Sequence, residues 1–310
     1  MKDTYDILWE KIIDMGLEEY LLSKGVSEAS LKSSKEQFSL EDRELYNYYH
    51  YKDRVENDKL VPVKNIEGVS RVVDFSWFNI LNYSILGVAQ KDYDINIEQS
   101  RFLKQLLLLE ENNIEGLQNM YNNTGNISFL AFQNEDEIKY FQCIDGNHRS
   151  ILAKVLGLKT IRASDIYYYE YNAENFRLYN IYKKEETDFL KFLEQTEFKI
   201  NKLDEFSSGK RIVLDYLDFN EFFSSIALCP FDQYEFKNNP QAVFEMIDRA
   251  EEIKKLIERI NKRSTIYLHL YTLFPKKIMN LRKYFFSDRV TVKSLAKVIA
   301  LKKCLENHLN

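Results

Sequence analysis

The segment that decides the fold reads ISFLAF (127–132), QNEDE (133–137), IKYFQCID (138–145), GNHRSILAKVLG (146–157) and LKTIRASDIYYY (158–169). Its first and third pieces are largely apolar runs of strand length joined by a charged loop, a pattern that predicts a β-hairpin. Residues 147–156 carry apolar side chains at helical spacing, and Gly157 follows them as a typical C-terminal cap. Residues 158–169 predict a third strand, so the expected order is strand, strand, helix, strand.

The link between the second strand and the helix is Asp145-Gly146-Asn147-His148-Arg149, here called the DGNHR turn. Glycine allows a backbone shape that other residues resist, and it clears space above the turn. Backbone amides at a helix start lack intrahelical acceptors, and with the helix dipole they attract phosphate. The turn therefore predicts an anion site formed by the amides of Asn147, His148, Arg149 and Ser150.

The side chains of the turn suggest chemistry as well as binding. Arg149 offers a charged fork that suits phosphate oxygens. His148 can donate a hydrogen bond or act as an acid or base near neutral pH. Asp145 could hold a metal-bound water, orient His148 or cap the helix. The alternative is an ordinary turn, with Asp145 or Asn147 as a cap and the other side chains solvated.

The stretch FQCIDGNHRSILAKVLGLKTIRASDIY (141–167) resembles the signature region of the ParB/sulfiredoxin superfamily. Members carry a G-x-H-R or G-x-R-R box that opens a helix, followed by a face with alanine and leucine, a glycine and a strand. The resemblance covers roughly residues 127–170, and the fold could extend back to Lys59. Asn147 stands where sulfiredoxins have their reactive cysteine, so sulfiredoxin chemistry is not expected.

The resemblance implies a nucleotide-phosphate site in which Gly146, His148 and Arg149 contact phosphate. ATP or CTP would be the substrate, Mg²⁺ the helper ion, and the protein a phosphotransferase or NTP hydrolase with His148 as its acid or base. A partial echo of the E-N-x-x-R motif of ParB proteins, at Glu174 and Asn175, suggests metal ligands; a solvated helix entry is the alternative. The open alternatives are a DNA-associated ParB-like binding protein, or a metal-dependent nuclease, of a phage or mobile element.

The composition favours helices around this segment. The chain has 310 residues, 45% of them apolar, with only nine glycines and four prolines. We expect an α+β protein that is predominantly helical overall, with a helical N-terminal region (1–58), a ParB/sulfiredoxin-like domain (59–172) and a helical C-terminal domain (173–310). Residues 29–58 predict an exposed helix or helix pair that leads into a linker. The tyrosines at 167, 168, 169 and 171 could stack on a nucleobase or simply alternate along a strand.

Charge, cysteines and hydropathy restrict location and partners. The net charge of −5 argues against a nucleic-acid-coating protein, although Lys293, Lys297, Lys302 and Lys303 could contact DNA from basic C-terminal helices. The three cysteines are far apart and predict neither disulfides nor zinc. No apolar run approaches the ~20 residues of a membrane span. We expect a cytoplasmic protein with no membrane contact; its oligomeric state stays open.

Overall fold

The structure is a computed structural model that describes residues 4–70, 72–88, 97–135, 137–195, 198–206, 209–216, 230–255 and 258. These residues fall into two compact units, Met1–Ala173 and Glu174–Asn310. Among the described helices, none is both long enough and apolar enough to cross a membrane.

Helices form much of the first unit. The described helices are α1 (Thr4–Met15), α2 (Leu17–Ser23), α3 (Glu28–Glu36), α4 (Trp77–Leu86), α5 (Gln99–Asn123) and α6 (Asn147–Leu156). Helix α5 is kinked at Asn113, where φ is 55° and ψ is −176°. Helix α6 ends at Gly157, whose φ of 66° confirms the predicted C-terminal cap.

A five-stranded mixed sheet completes the first unit. Its strands are β1 (Tyr49–Pro62), β2 (Ile66–Val69), β3 (Ser128–Gln133), β4 (Ile138–Gln142) and β5 (Thr160–Tyr171), in the spatial order β1-β5-β3-β4-β2. The strands β3 and β4 form the predicted antiparallel hairpin, and β5 runs parallel to β3. The expected α+β class is confirmed, as is the order of hairpin, helix and strand.

The N-terminal region departs from the sequence prediction. The helix predicted within 29–58 ends at Glu36, and the prediction of helix and linker is wrong over 49–58, because β1 begins at Tyr49. β1 pairs antiparallel with β5, and Tyr49 and Tyr51 lie opposite Tyr171 and Tyr169. Pairing with a strand more than 100 residues away overrides the local polar pattern. The predicted division at residues 58 and 59 falls inside this strand.

Two apolar clusters lie on opposite faces of the sheet, as the alternation of side chains along a strand requires. Phe129 and Ala131 of β3 belong to the main core with the helices, whereas Phe132 joins a smaller aromatic cluster with Tyr49 and Phe141. Tyrosines 167–169 alternate in the same way, and only Tyr168 enters the main core.

Both tryptophans of the chain belong to this first unit. Trp77 at the start of α4 is 1% exposed within the main core. Trp9 of α1 packs against the same core, and its indole Nε1 donates a hydrogen bond to the Ile85 carbonyl oxygen at 2.8 Å. Trp77 therefore sits in the packed interior, and the partly buried Trp9 packs against it.

The second unit contains helices and one described hairpin. Its elements are α7 (Ala173–Glu194, whose first residue closes the first unit), β6 (Phe198–Phe206), β7 (Gly209–Tyr216), α8 (Gln233–Asn238), a 3-10 turn (Pro240–Ala242) and a helix over 243–255. β6 and β7 pair antiparallel, so the prediction of a mostly helical domain over 173–310 is wrong at these strands. The lysines proposed for DNA contact lie outside the described residues.

Candidate functional site

Gly146 gives the DGNHR turn its shape. Its φ is +116°, in the left-handed region that L side chains rarely adopt. A Cβ placed there would lie 2.5 Å from Ile127 Cγ1. Ile127 immediately precedes β3 and is fully buried, so it has little room to move. Both backbone conformation and space therefore require glycine where the chain passes from β4 into α6.

The start of α6 presents three backbone amides without an intrahelical acceptor. Gly146 is the N-cap residue and has no side chain with which to cap. The amide of Ser150 donates to the Gly146 carbonyl at 2.9 Å, which is the first bond of the helix. The amide of Ser150 is therefore not available to an anion, contrary to the sequence prediction, and the Ser150 hydroxyl is buried. The amides of Asn147, His148 and Arg149 remain.

A cavity of about 320 Å³ opens beside this helix start. Three parts of the chain form its wall: the end of β2, the start of α5 and the DGNHR turn. The lining residues are Ser70, Ile97, Glu98, Arg101, Cys143, Ile144, Asp145, Gly146, Asn147 and His148. The structure thus brings four of the predicted residues together at one cavity, and it adds Arg101 from α5 and Glu98, the residue before α5.

The side chain of Asn147 ties the turn to β2. Its Nδ2 donates to the Ser70 carbonyl at 3.1 Å, and the Ser70 hydroxyl donates to Asn147 Oδ1 at 3.2 Å. The Ser70 amide in turn donates to the Gln142 carbonyl at 3.1 Å. The side chain of Asn147 is therefore used in holding the cavity wall, while its backbone amide belongs to the helix start.

Arg149 does not line the cavity. Its guanidinium Nη1 donates to the Thr124 carbonyl oxygen at 3.2 Å, at the end of α5. Burial lowers the pKa of Arg149, partly offset by Tyr121 and Asp145. The predicted contact of Arg149 with phosphate stays a prediction, and this structure directs the guanidinium to a backbone carbonyl instead.

His148 lies between the turn and α5. Its ring packs edge-on against Phe102, with centroids 4.7 Å apart, and it forms a hydrogen bond with the backbone of Glu98. Burial, with the nearby positive charge of Arg101, lowers the pKa of His148 to about 4. The imidazole is therefore neutral at pH 7. Its Nε2 is buried and has no hydrogen-bond partner within the part of the chain that the structure describes.

The carboxyl and thiol groups of the cavity differ in what they can do. Asp145 is exposed and lines the cavity, so its carboxylate can face a ligand or a metal-bound water. Cys143 also lines the cavity, but burial raises the pKa of its thiol to about 11, and its Sγ donates to the Ser128 carbonyl. The thiol is thus protonated at neutral pH and is not an activated nucleophile.

The sequence prediction missed Glu98 and Arg101. Arg101 Nε donates to Glu98 Oε2 at 3.0 Å, and both side chains line the cavity. They lie more than 40 residues before the DGNHR turn, in a segment whose local pattern predicts only a helix. The fold alone brings them to the turn, so no local sequence signal could have found them.

Glu174 and Asn175, the residues predicted as metal ligands, are not among the lining residues of the cavity. Glu174 and Asn175 belong to the second unit, whereas the lining residues of the cavity all belong to the first. Both carboxylate oxygens of Glu174 accept hydrogen bonds from Arg177, at 2.7 and 2.9 Å. Across the described ranges, no group of three or more His, Cys, Asp or Glu side chains is arranged to hold a metal.

Comparisons of the chain with protein-family models, with curated proteins and with solved structures find no match.

Proposed function

We propose that the cavity at the DGNHR turn binds the phosphates of a nucleotide, and that the protein is a phosphotransferase or NTP hydrolase of the ParB/sulfiredoxin-like type. The observation that carries the proposal is the start of α6. Three amides without intrahelical acceptors follow a left-handed Gly146, and two of them belong to Asn147 and His148, which line the cavity. ATP and CTP are the nucleotides that the resemblance in sequence suggests.

The physical support for phosphate is the polarity of this helix start. Unpaired N–H groups and the helix dipole place partial positive charge at the cavity wall, and each favourable contact with an anion is worth roughly 0.3–1 kcal/mol. The cavity volume of about 320 Å³ is at the small end of ligand pockets, which start at about 300 Å³. Such a cavity suits the phosphate chain of a nucleotide, with the base outside it.

The carboxylate of Asp145 is suited to bind Mg²⁺ together with the ligand's phosphates. Mg²⁺ is commonly held by one or two carboxylates together with waters and substrate phosphates, so it needs no cluster of three protein ligands. Asp145 is exposed on the cavity and meets that requirement. The bound ion would neutralise charge on the phosphates. The same carboxylate could accept a proton from an attacking hydroxyl or water.

The described residues support a nuclease or a DNA-binding protein less well than a nucleotide-binding enzyme. A metal-dependent nuclease of the usual kind needs an acidic cluster for its ions, and the described part of the chain contains none of three or more ligands. A DNA-binding surface needs clustered basic residues. This cavity carries one arginine beside the carboxylates of Glu98 and Asp145. A nucleotide with its own Mg²⁺ suits this mixed charge better than a bare polyanion.

The first experiment measures thermal stabilisation of the full chain by ATP, CTP or GTP with Mg²⁺. We expect one nucleotide at 100 times its Kd to add about 2.7 kcal/mol to the free energy of unfolding. Release of inorganic phosphate, or its transfer to an acceptor, would then separate hydrolase from transferase. A melting curve that none of the three nucleotides shifts would contradict the proposal.

The nucleotide-binding site can be located by backbone NMR. The amide resonances of Asn147, His148 and Arg149 should shift on addition of the stabilising nucleotide. The start of α4 is a matched control, because the Ser76 hydroxyl already accepts from the Asn79 amide there. Equal shifts at both helix starts, or shifts confined to other regions, would move the ligand away from the DGNHR turn.

A further inference from the structure

A cation and an anion from the start of α5 face the cavity together. Arg101 and Glu98 form an ion pair at 3.0 Å, and their side chains are 59% and 65% exposed. A guanidinium has five N–H groups, and within the described residues Glu98 is the acceptor that Arg101 contacts. Among the described residues, most of the donors of Arg101 therefore remain available to a second anion in the cavity.

His148 fastens this segment to the DGNHR turn. Its imidazole is hydrogen-bonded to the backbone of Glu98, and its ring packs on Phe102, the residue after Arg101. Because Nε2 is buried, the ring is poorly placed to exchange a proton with a ligand in the cavity. It is well placed to fix where Glu98 and Arg101 stand relative to the start of α6.

We propose that Arg101 is the guanidinium that binds the ligand's phosphate, that the carboxylate of Glu98 occupies it until the ligand arrives, and that His148 is a positioning residue for both. This inference rests on the proposed nucleotide-phosphate function and assigns that site its cation. It also replaces two roles expected from the sequence, those of Arg149 as the phosphate-binding arginine and of His148 as the acid or base.

The exchange of partners at Arg101 is energetically easy. Water screens an exposed ion pair, so the contact with Glu98 contributes little free energy. Guanidinium and phosphate can form two parallel charge-assisted hydrogen bonds, which are among the stronger contacts available to a protein. Glu98 thus acts as a weak internal competitor, and removal of its charge should raise the affinity for an anion.

The test measures, by calorimetry on the full chain without Mg²⁺, the affinity for ATP and for inorganic phosphate. Arg101→Gln should weaken binding of ATP about 10- to 100-fold, the usual effect of losing hydrogen bonds to a charged group. Glu98→Gln should tighten it about 2- to 5-fold. Lys104→Gln and Glu111→Gln are matched controls, because they make the same charge changes at exposed positions of α5 outside the cavity lining.

The role of His148 needs a measurement that a general loss of stability would not mimic. His148→Phe keeps a ring against Phe102 but removes the hydrogen bond to Glu98. A double-mutant cycle compares the loss of ATP affinity caused by Arg101→Gln in wild type and in the His148→Phe variant. This loss should be at least about threefold smaller in the His148→Phe background, because an Arg101 that is displaced from its position contributes less to binding. Additive effects of the two substitutions would overturn the positioning role.

The outcomes separate this inference from the proposed function. If wild type binds ATP and Arg101→Gln binds it equally well, or Arg149→Gln alone abolishes binding, Arg101 is not the phosphate residue although the function stands. Weaker binding by Glu98→Gln would show that Glu98 supports the ligand, which overturns its role as a competitor. If wild type binds no nucleotide with or without Mg²⁺, the proposed function fails with it.

Discussion

At Gly146 a single missing side chain decides whether the DGNHR turn can form. Alanine would need a φ near +116° and a Cβ within 2.5 Å of Ile127 Cγ1. The first requirement costs roughly 1–2 kcal/mol, and overpacking a filled site typically costs about 1–3 kcal/mol. The glycine serves the fold as well as the site, so a loss of binding in a Gly146 variant must be compared with its stability.

We predict that Gly146→Ala lowers the free energy of unfolding by about 2–4 kcal/mol, measured by urea denaturation. Gly125→Ala is the matched control. Its Cβ would meet its nearest neighbours at 3.8 Å, an ordinary contact distance, and its backbone is not left-handed. The control should change stability by no more than about 0.5 kcal/mol.

The clash and the backbone strain can be separated. Ile127→Ala removes the methyl groups that a Cβ at position 146 would strike. Combined with Gly146→Ala it should cost less than the sum of the two single changes, by about 0.5–3 kcal/mol. Strict additivity would show that Ile127 does not limit the turn.

At the scale of elements, the cavity depends on how the end of β2 is held to the start of α6. The two hydrogen bonds between Asn147 and Ser70 make this connection, and Ser70 is bound in turn to Gln142 at the end of β4. A strand end, a hairpin strand and a helix start therefore meet at one small polar network, which fixes one wall of the cavity.

We predict that Asn147→Ala lowers stability by about 1–3 kcal/mol, because it removes two hydrogen bonds between separate elements. Asn123→Ala is the control, since Asn123 is exposed and donates within its own helix to the Asn119 carbonyl at 2.8 Å. Equal melting temperatures for the two variants would show that the connection to Ser70 contributes nothing.

The elements also show what the sequence could and could not predict. The hairpin, the DGNHR turn, α6 and β5 were accessible because each has a local signature of period, glycine and length. β1 was not, since most of its residues between Tyr49 and Pro62 are exposed and leave no apolar alternation. It is a strand because β5 lies beside it, which local patterns do not encode.

The candidate site, like the fold, could be predicted only in part. Asp145 to His148 are contiguous, so the sequence could group them as one site. Arg101 comes from a helix that the fold brings to the turn, and the sequence offered Arg149 in its place. The sequence also did not predict that the Ser150 amide is used within the helix. The first helical hydrogen bond depends on the exact residue at which the helix begins, which the sequence does not fix.

At the scale of the whole molecule, the cavity belongs to one compact unit. Every lining residue, all five strands of the mixed sheet and both apolar clusters lie within Met1–Ala173. The unit ends where α7 begins. A chain cut at this point interrupts no strand of the sheet and leaves the DGNHR turn with all of its described contacts.

We predict that a fragment of residues 1–173 folds cooperatively, as judged by circular dichroism on heating, and keeps the stabilisation by nucleotide that we propose for the full chain. A fragment of residues 1–156 is the control, because it lacks β5, the strand that joins β1 to β3. If the longer fragment is unfolded, the first unit depends on the rest of the chain for stability.

The placement of Trp9 and Trp77 gives the molecule an optical asymmetry. With both indoles in the first unit, emission excited selectively at tryptophan reports on that unit alone, whereas the 21 tyrosines are spread along the chain. The ammonium of Lys154, on α6, lies 5.4 Å from the centre of the Trp77 ring. Any movement of α6 as its N-terminus takes up a ligand would alter the field at this indole, so the protein carries an unlabelled fluorescent probe on the same helix that begins at the DGNHR turn.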